Sequence, residues 1–340
     1  MGPLGLKIII ERNIPFIKGV LDDLAQVEYL SAEEIDAEAM QNADALICRT
    51  RTRCNANLLH NSRCSFIATA TIGTDHIDLD YCNQRGITVA NAPGCNAPAV
   101  AQYVFASLAH VINQPINNYT IGIVGVGHVG SIVEQWATQL GMKVLLCDPP
   151  RAEIEYTNNF VSLDEIARQC NIITFHTPLT TSGKYPTHHI CNESFINRLS
   201  HRAIIVNCAR GGIFDTQAVI CALNENKISN VIVDCWEREP NLNPTLLEKA
   251  AIATPHIAGY SREGKIRATA MALEALARHF NLSIPNVAQG IAPGAAQNVT
   301  MQSITKSYNP IIDTQALKAS PDAFESLRNN YNYRPEVTEL

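Results

Sequence analysis

The chain is expected to fold as an α/β protein with two doubly wound parallel sheets, and three features of its 340 residues carry that expectation. Short apolar, β-branched runs alternate with longer helical patterns almost throughout, which is the pattern of βαβ units. The alternation is interrupted by a long apolar helix and a polar break, "NQPINNY", and then resumes. A glycine-rich turn opens the second series directly after its first strand.

Bulk properties agree with two cores in one chain. A hydrophobic fraction of 46% beside 17% charged residues is ordinary for a globular protein. The formal net charge of −6 argues against a nucleic-acid or anionic-membrane surface. The eleven cysteines form no C-x-x-C pair and fall mostly in apolar runs, so they read as reduced, buried thiols. Residues 1–5 are set aside from the fold. The opening apolar run is too short for a signal peptide and lacks a basic stretch before it. No segment reaches the ~18 apolar residues of a membrane span, so a cytoplasmic location is expected.

The first series places strands at 6–10, 43–49, 65–71 and 87–91, with helix-like segments "PFIKGVLDDLA" and "LDYCNQRG" between them. A largely apolar helix is expected over 97–112. Six strands come next at 120–126, 143–148, 171–177, 203–209, 230–236 and 251–256, the count expected of a dinucleotide-binding sheet. Residues 263–280 read as an amphipathic helix. Beyond it, a Pro, Gly, Ala and Asn-rich stretch suggests a linker, and 300–340 suggest a short arm for an oligomer, with one helix at "PDAFESLRNNY".

In "GIVGVGHVG", Gly125, Gly127 and Gly130 have G-x-G-x-x-G spacing between a strand and a helix. Such glycines permit a tight turn and close approach of a pyrophosphate to a helix start, here His128 and Val129. Asp148 ends the next strand, where a carboxylate accepts from ribose hydroxyls and repels a 2′-phosphate. NAD is therefore expected as cofactor rather than NADP, with Arg151 a counter-signal.

Three residues come after three strand ends: Arg210 in "NCARGG", Glu239 in "DCWEREP" and His256 in "TPHIAG". Ligands of doubly wound sheets bind at the carboxyl ends of strands. Oxidising a secondary alcohol needs a base near neutrality, which a histidine supplies. A paired carboxylate orients the ring, and a guanidinium can fork onto a substrate carboxylate. Glu237 is a local rival for Glu239, and Asp215 is a rival partner for Arg210. No metal motif or nucleophile elbow is visible.

These blocks resemble the signature blocks of the D-isomer-specific 2-hydroxyacid dehydrogenases, over residues 6–280. The resemblance implies a discontinuous flavodoxin-like substrate domain (6–95 and 261–280), an inserted Rossmann NAD-binding domain (96–260), and a C-terminal extension (281–340) that serves dimerisation. It implies that Arg210 binds substrate, Glu239 supports the histidine, and His256 is the acid/base residue. By the same matching, Thr50, Thr71 and Tyr260 contact substrate. Asp148, Thr177, Asp234, Gly259 and the main chain of Cys208, Ala209 and Arg210 contact NAD. In "CRTRTRCN", Arg49, Arg51 and Arg53 alternate beside Thr50, and an extended chain would aim all three at a substrate phosphate; a solvated edge is the competing reading. The expected partner is a small phosphorylated 2-hydroxy acid, with 3-phosphoglycerate or glycerate as alternatives and an NAD-sensing, corepressor-like role as the non-enzymatic one.

Overall fold

The computed structural model describes residues 5–155 and 159–338. The chain divides into one unit of Met1–Asn96 with Arg262–Pro293 and a second of Ala97–Ser261 with Gly294–Leu340.

The first unit holds a five-stranded parallel sheet: β1 (Lys7–Glu11), β2 (Gln26–Leu30), β3 (Ala45–Cys48), β4 (Phe66–Thr69) and β5 (Thr88–Ala90). Their order, β2-β1-β3-β4-β5, is the flavodoxin-type order. Because side chains alternate across a strand, β1 feeds two cores. Ile8 and Ile10 meet Leu273 and Leu276 of the helix Arg262–Phe280, while Ile9 packs with Leu46 and Ile67 on the other face. Two local expectations fail. Strand β2 lies in no expected run, since "QVEYL" is a half-exposed edge strand without an apolar run. The segment 15–25 forms turns rather than a helix. Phe16 (φ +62°) and Gly19 (φ +84°) take left-handed backbone there, while Ile17 and Leu21 still reach the core.

The second unit carries six parallel strands: β6 (Thr120–Val124), β7 (Lys143–Cys147), β8 (Ile172–Phe175), β9 (Ala203–Asn207), β10 (Ile228–Val233) and β11 (Ile252–Ala253). The order is β11-β10-β9-β8-β6-β7, with β7 and β8 flanking β6. The order of strands therefore reverses beside β6, which makes the carboxyl end of β6 a topological switch point. The helix Ala97–Leu108 is buried along its whole length, and Trp136 of the helix His128–Gln139 joins the same core.

Residues 294–338 do not form a free linker and arm. They fold into helices Met301–Ser307, Pro310–Ala319 and Phe324–Asn329. Leu317 and Phe324 are buried in the core of the second unit, and the Ala253 N–H of β11 donates to Thr314 Oγ1 at 3.1 Å. A few apolar side chains in a polar stretch are enough to fasten it. All eleven cysteines are unpaired, ten of them buried and Cys221 exposed. Among the described residues, no helix is long and apolar enough to cross a membrane.

Candidate active site

The site in the second unit is built from the turns at the carboxyl ends of β6 to β11. After β6, Gly125 takes φ +88°, and a Cβ there would lie 2.8 Å from the His176 carbonyl carbon and the Thr177 nitrogen. A Cβ at Gly130 would meet the Gly125 oxygen at 2.1 Å, so only glycine lets the helix start against its own turn. Gly127 is different: nothing lies within 4 Å of its Cβ position. It caps the helix His128–Gln139 without a side-chain hydrogen bond, beside the exposed His128 and half-buried Val129. Asp148, past β7, accepts from the Val126 N–H at 2.8 Å and the Arg151 N–H at 3.1 Å. The Arg151 guanidinium is tied to Glu155 at 2.6 Å and to the Val126 carbonyl. The Thr177 hydroxyl is buried and lacks a hydrogen-bond partner.

Arg210 comes after β9 on a turn stapled by Asn207, whose side chain donates to the Arg210 carbonyl (3.0 Å) and accepts from the Ala209 N–H (3.2 Å). The buried Cys208 and the adjoining Ala209 complete the turn, and Arg210 Nη1 donates to the Ala209 carbonyl at 2.9 Å. Gly211 explains the glycine after the arginine. Its missing Cβ would lie 2.0 Å from the Trp236 carbonyl oxygen, so the Arg210 turn rests directly on the backbone that leads to Glu239. Asp215 caps the next helix through the Gln217 and Ala218 N–H groups (both 3.1 Å).

Past β10, Glu239 Oε1 accepts from the Trp236 N–H at 2.8 Å, and Oε2 accepts from His256 Nδ1 at 2.8 Å. Side-chain exposures of 20% for Glu239 and 30% for His256 leave the pair reachable from one side. Burial pushes the Glu239 carboxyl up, but the charge and hydrogen bond of His256, the Trp236 N–H and the charge of Arg328 together hold it below its ordinary value. Donation from Nδ1 to a carboxylate leaves Nε2 as the imidazole nitrogen able to take a proton. The rival Glu237 is engaged elsewhere, with His189 Nε2 at 2.8 Å.

His256 sits in left-handed backbone (φ +57°), with its N–H shared between the Asp234 and Thr254 carbonyls at 3.0 Å each. Asp234, 1% exposed, pins the residues on both sides of the histidine: it accepts from Thr254 Oγ1 (2.7 Å) and from the Ile257 (2.8 Å) and Ala258 (2.9 Å) N–H groups. Burial is the main cause that raises its carboxyl. A strained residue over-determined by its neighbours is a common feature of functional sites.

Gly259 and Tyr260 continue this loop, for which residue types and spacing show no support. The support comes from the C-terminal segment. Arg334, 6% exposed, donates to the carbonyls of Ile257 (2.9 Å), Tyr260 (3.3 Å) and Ala99 (3.1 Å), to the Ala258 carbonyl, and to Gln102 Oε1 (2.9 Å). Ser261 donates to Glu336 at 2.6 Å, and Arg328 Nε donates to the Tyr260 hydroxyl at 3.1 Å. Sequence reasoning misses Asn207, Arg328 and Arg334. The available signal is "FESLRNNY", but it points to an oligomer arm.

The first unit holds the remaining candidates. Glu11, buried, accepts from the Arg49 N–H (2.8 Å) and from Thr52 Oγ1 (3.2 Å), which fixes the loop after β3. Thr50, Arg51 and Arg53 are exposed on that loop, whereas Arg49 Nη1 donates to the Asn13 carbonyl at 3.1 Å. Thr71 is hydrogen-bonded to Thr69 at 2.6 Å.

Residues 99–258 match the family model described as D-isomer specific 2-hydroxyacid dehydrogenase, NAD binding domain. The open space at Gly127, the orphaned Thr177 hydroxyl and the Asp148 carboxylate fit NAD, the cofactor of that domain. Erythronate-4-phosphate dehydrogenase of Bacteroides thetaiotaomicron is 46% identical, covering 97% of each chain, and that of Porphyromonas gingivalis is 38% identical, covering 98% of this chain and 94% of its own. A solved D-lactate dehydrogenase from Aquifex aeolicus, complexed with NAD and lactic acid, shares the fold. Its TM-score is 0.69 at 24% identity, over 86% of this chain and 100% of that one. The chain therefore belongs to the D-isomer-specific 2-hydroxyacid dehydrogenases, on the branch of the erythronate-4-phosphate dehydrogenases.

Proposed function

We propose that this chain oxidises 4-phospho-D-erythronate at C2 to (R)-3-hydroxy-2-oxo-4-phosphobutanoate, a step of pyridoxal 5′-phosphate biosynthesis. The observation that carries the chemistry is the 2.8 Å pair of His256 Nδ1 and Glu239 Oε2, with Glu239 on the loop against which the Arg210 turn rests. His256 Nε2 takes the C2 hydroxyl proton, and Glu239 keeps the ring oriented and balances the imidazolium that forms. Arg210 forks onto the substrate carboxylate and so places C2. Bound NAD supplies the acceptor for the hydride that leaves C2. Tyr260, Thr50 and Thr71 contact the substrate, and Arg49 and Arg51 supply positive charge toward its phosphate. Asp148, Thr177, Asp234, Gly259, residues 208–210 and the Gly125–Gly130 turn hold the cofactor.

We further infer a cytoplasmic homodimer, from the reduced thiols and the family resemblance; light scattering on the purified protein tests the dimer. The function is tested by measuring NADH absorbance across a panel of D-2-hydroxy acids. The phosphorylated four-carbon acid should give the highest kcat/KM, and a better unphosphorylated substrate would overturn the assignment.

A further inference from the structure

Two arginines of the C-terminal segment reach the loop that carries His256 and Tyr260, and they are used in opposite ways. Arg334 is buried and its guanidinium is hydrogen-bonded at Nε, Nη1 and Nη2. It holds the loop and has nothing left to offer. Arg328, on the helix Phe324–Asn329, commits only Nε, to the Tyr260 hydroxyl at 3.1 Å. Glu325 forms an ion pair with it, but with Oε1 3.8 Å from Nη1 the pair is too long for a hydrogen bond.

Arg328 is only 22% exposed, so its cation is largely stripped of water. An ion pair as long as the one with Glu325 leaves the Nη atoms of this desolvated guanidinium short of hydrogen-bond acceptors, which is costly unless something anionic completes them. Its bond to Tyr260 sets Arg328 beside the loop that carries His256, and its charge helps hold the Glu239 carboxyl below its ordinary value. Glu239 is itself occupied by His256 and the Trp236 N–H, so it is not the missing partner. Tyr260, which Arg328 grips, also packs edge-on against Tyr331 and Tyr333 at ring distances of 6.1 and 6.2 Å. The fork is thereby held on a rigid base.

The proposed substrate is anionic at both ends. Its carboxylate is assigned to Arg210, and its phosphate, toward which Arg49 and Arg51 supply positive charge, still needs a guanidinium fork that hydrogen-bonds it. We propose that Arg328 is a specificity-determining residue that binds a phosphate monoester at the far end of the substrate through its Nη atoms while Nε remains on Tyr260. This rests on the proposed function, and the test keeps the two apart.

The full chain is compared with Arg328→Met, which keeps the apolar length and removes the charge, and with Arg328→Lys, which keeps the charge without the fork. NADH formation is measured with 4-phospho-D-erythronate and with unphosphorylated D-erythronate. Inorganic phosphate binding is measured separately by calorimetry with NADH present. Arg328→Met should lower kcat/KM for the phosphorylated acid by about 10- to 100-fold, mainly through KM, and far less for the unphosphorylated one. It should weaken phosphate binding by about tenfold or more, with partial recovery in Arg328→Lys. Equal losses on both substrates, no loss on either, or unchanged phosphate binding would overturn the proposal. If Arg328→Met does not fold, as judged by NADH fluorescence titration, the same ratios in Arg328→Lys decide. If the wild-type chain fails on the phosphorylated acid, the function reading falls, while the phosphate calorimetry still decides the role of Arg328.

Discussion

Replacing Gly211 by alanine tests whether the catalytic groups are held in register by backbone contact. The added Cβ would start 2.0 Å from the Trp236 carbonyl oxygen, 2.2 Å from its carbon and 2.6 Å from the Glu237 nitrogen. None of these is the end of a flexible side chain, so the overlap is relieved only if one turn moves. Restoring an ordinary contact requires a shift of roughly 1.4 Å between the Arg210 turn and the Glu239 loop. Overpacking of this kind costs about 1–3 kcal/mol of stability. An error of about 1 Å in the placement of Arg210 relative to the His256–Glu239 pair can lower turnover by about 100-fold. The assay is kcat and kcat/KM by NADH absorbance, beside thermal melting and an NADH fluorescence titration that reports the Gly125–Gly130 turn. Expected are a lower melting temperature, a large loss of kcat, and NADH affinity close to that of the wild type. A kcat/KM within about threefold of wild type, with unchanged melting, would refute the idea that this contact sets the geometry.

The same geometry yields three further outcomes. Gly127→Ala meets open space, so melting should be unchanged while the Kd for NAD rises by about tenfold or more; an unaltered Kd would show that the space does not serve the pyrophosphate. His256→Asn should cut turnover by about 10²- to 10⁴-fold with NAD binding retained, and near-normal turnover would remove His256 from the acid/base role. Glu239 has a folded-state carboxyl held below its ordinary value of 4.5, so its stabilisation is present above that value and lost as acid protonates the folded protein. The melting-temperature gap between wild type and Glu239→Gln should be widest near neutrality and close as pH falls below 4.5; a gap constant across that range would contradict the assignment.

The parts legible in the sequence are those written locally. Short apolar runs mark every strand but β2, most continuously in β3, β4, β8 and β9, where burial on both faces leaves an unbroken apolar signal. The edge strand β2 leaves none, since one side of "QVEYL" faces water. Residues 15–25 have apolar spacing suited to a helix, but Ile17 and Leu21 reach the core from turns instead. The glycine after Arg210 announces a close approach, yet its counterpart, the Trp236 carbonyl, lies 25 residues downstream in sequence and is fixed only by the pairing of β9 with β10. The same limit hides Arg328 and Arg334. Their partners are carbonyls and a hydroxyl in another stretch of chain, and such acceptors leave no trace in residue type.

The three strand-end groups share one junction, and this shows why residue types alone understate the site. Trp236 offers its carbonyl as the surface on which Gly211 rests, its N–H to Glu239 Oε1 at 2.8 Å, and its indole Nε1–H to the Thr254 carbonyl at 2.9 Å, two residues before His256. Each of these contacts places a different catalytic candidate. Asp234, two residues earlier, fixes the Ile257 and Ala258 N–H groups, and Arg334 fixes the carbonyls of the same loop. The His256 loop is thus gripped from both its donor and its acceptor sides. Hydride transfer rewards such rigidity, because a proton acceptor and a carboxylate clamp held in advance need no reorganisation when the reaction occurs. In the proposed reading the chemistry falls to Arg210, Glu239 and His256, whereas their alignment belongs to backbone groups gathered around one tryptophan.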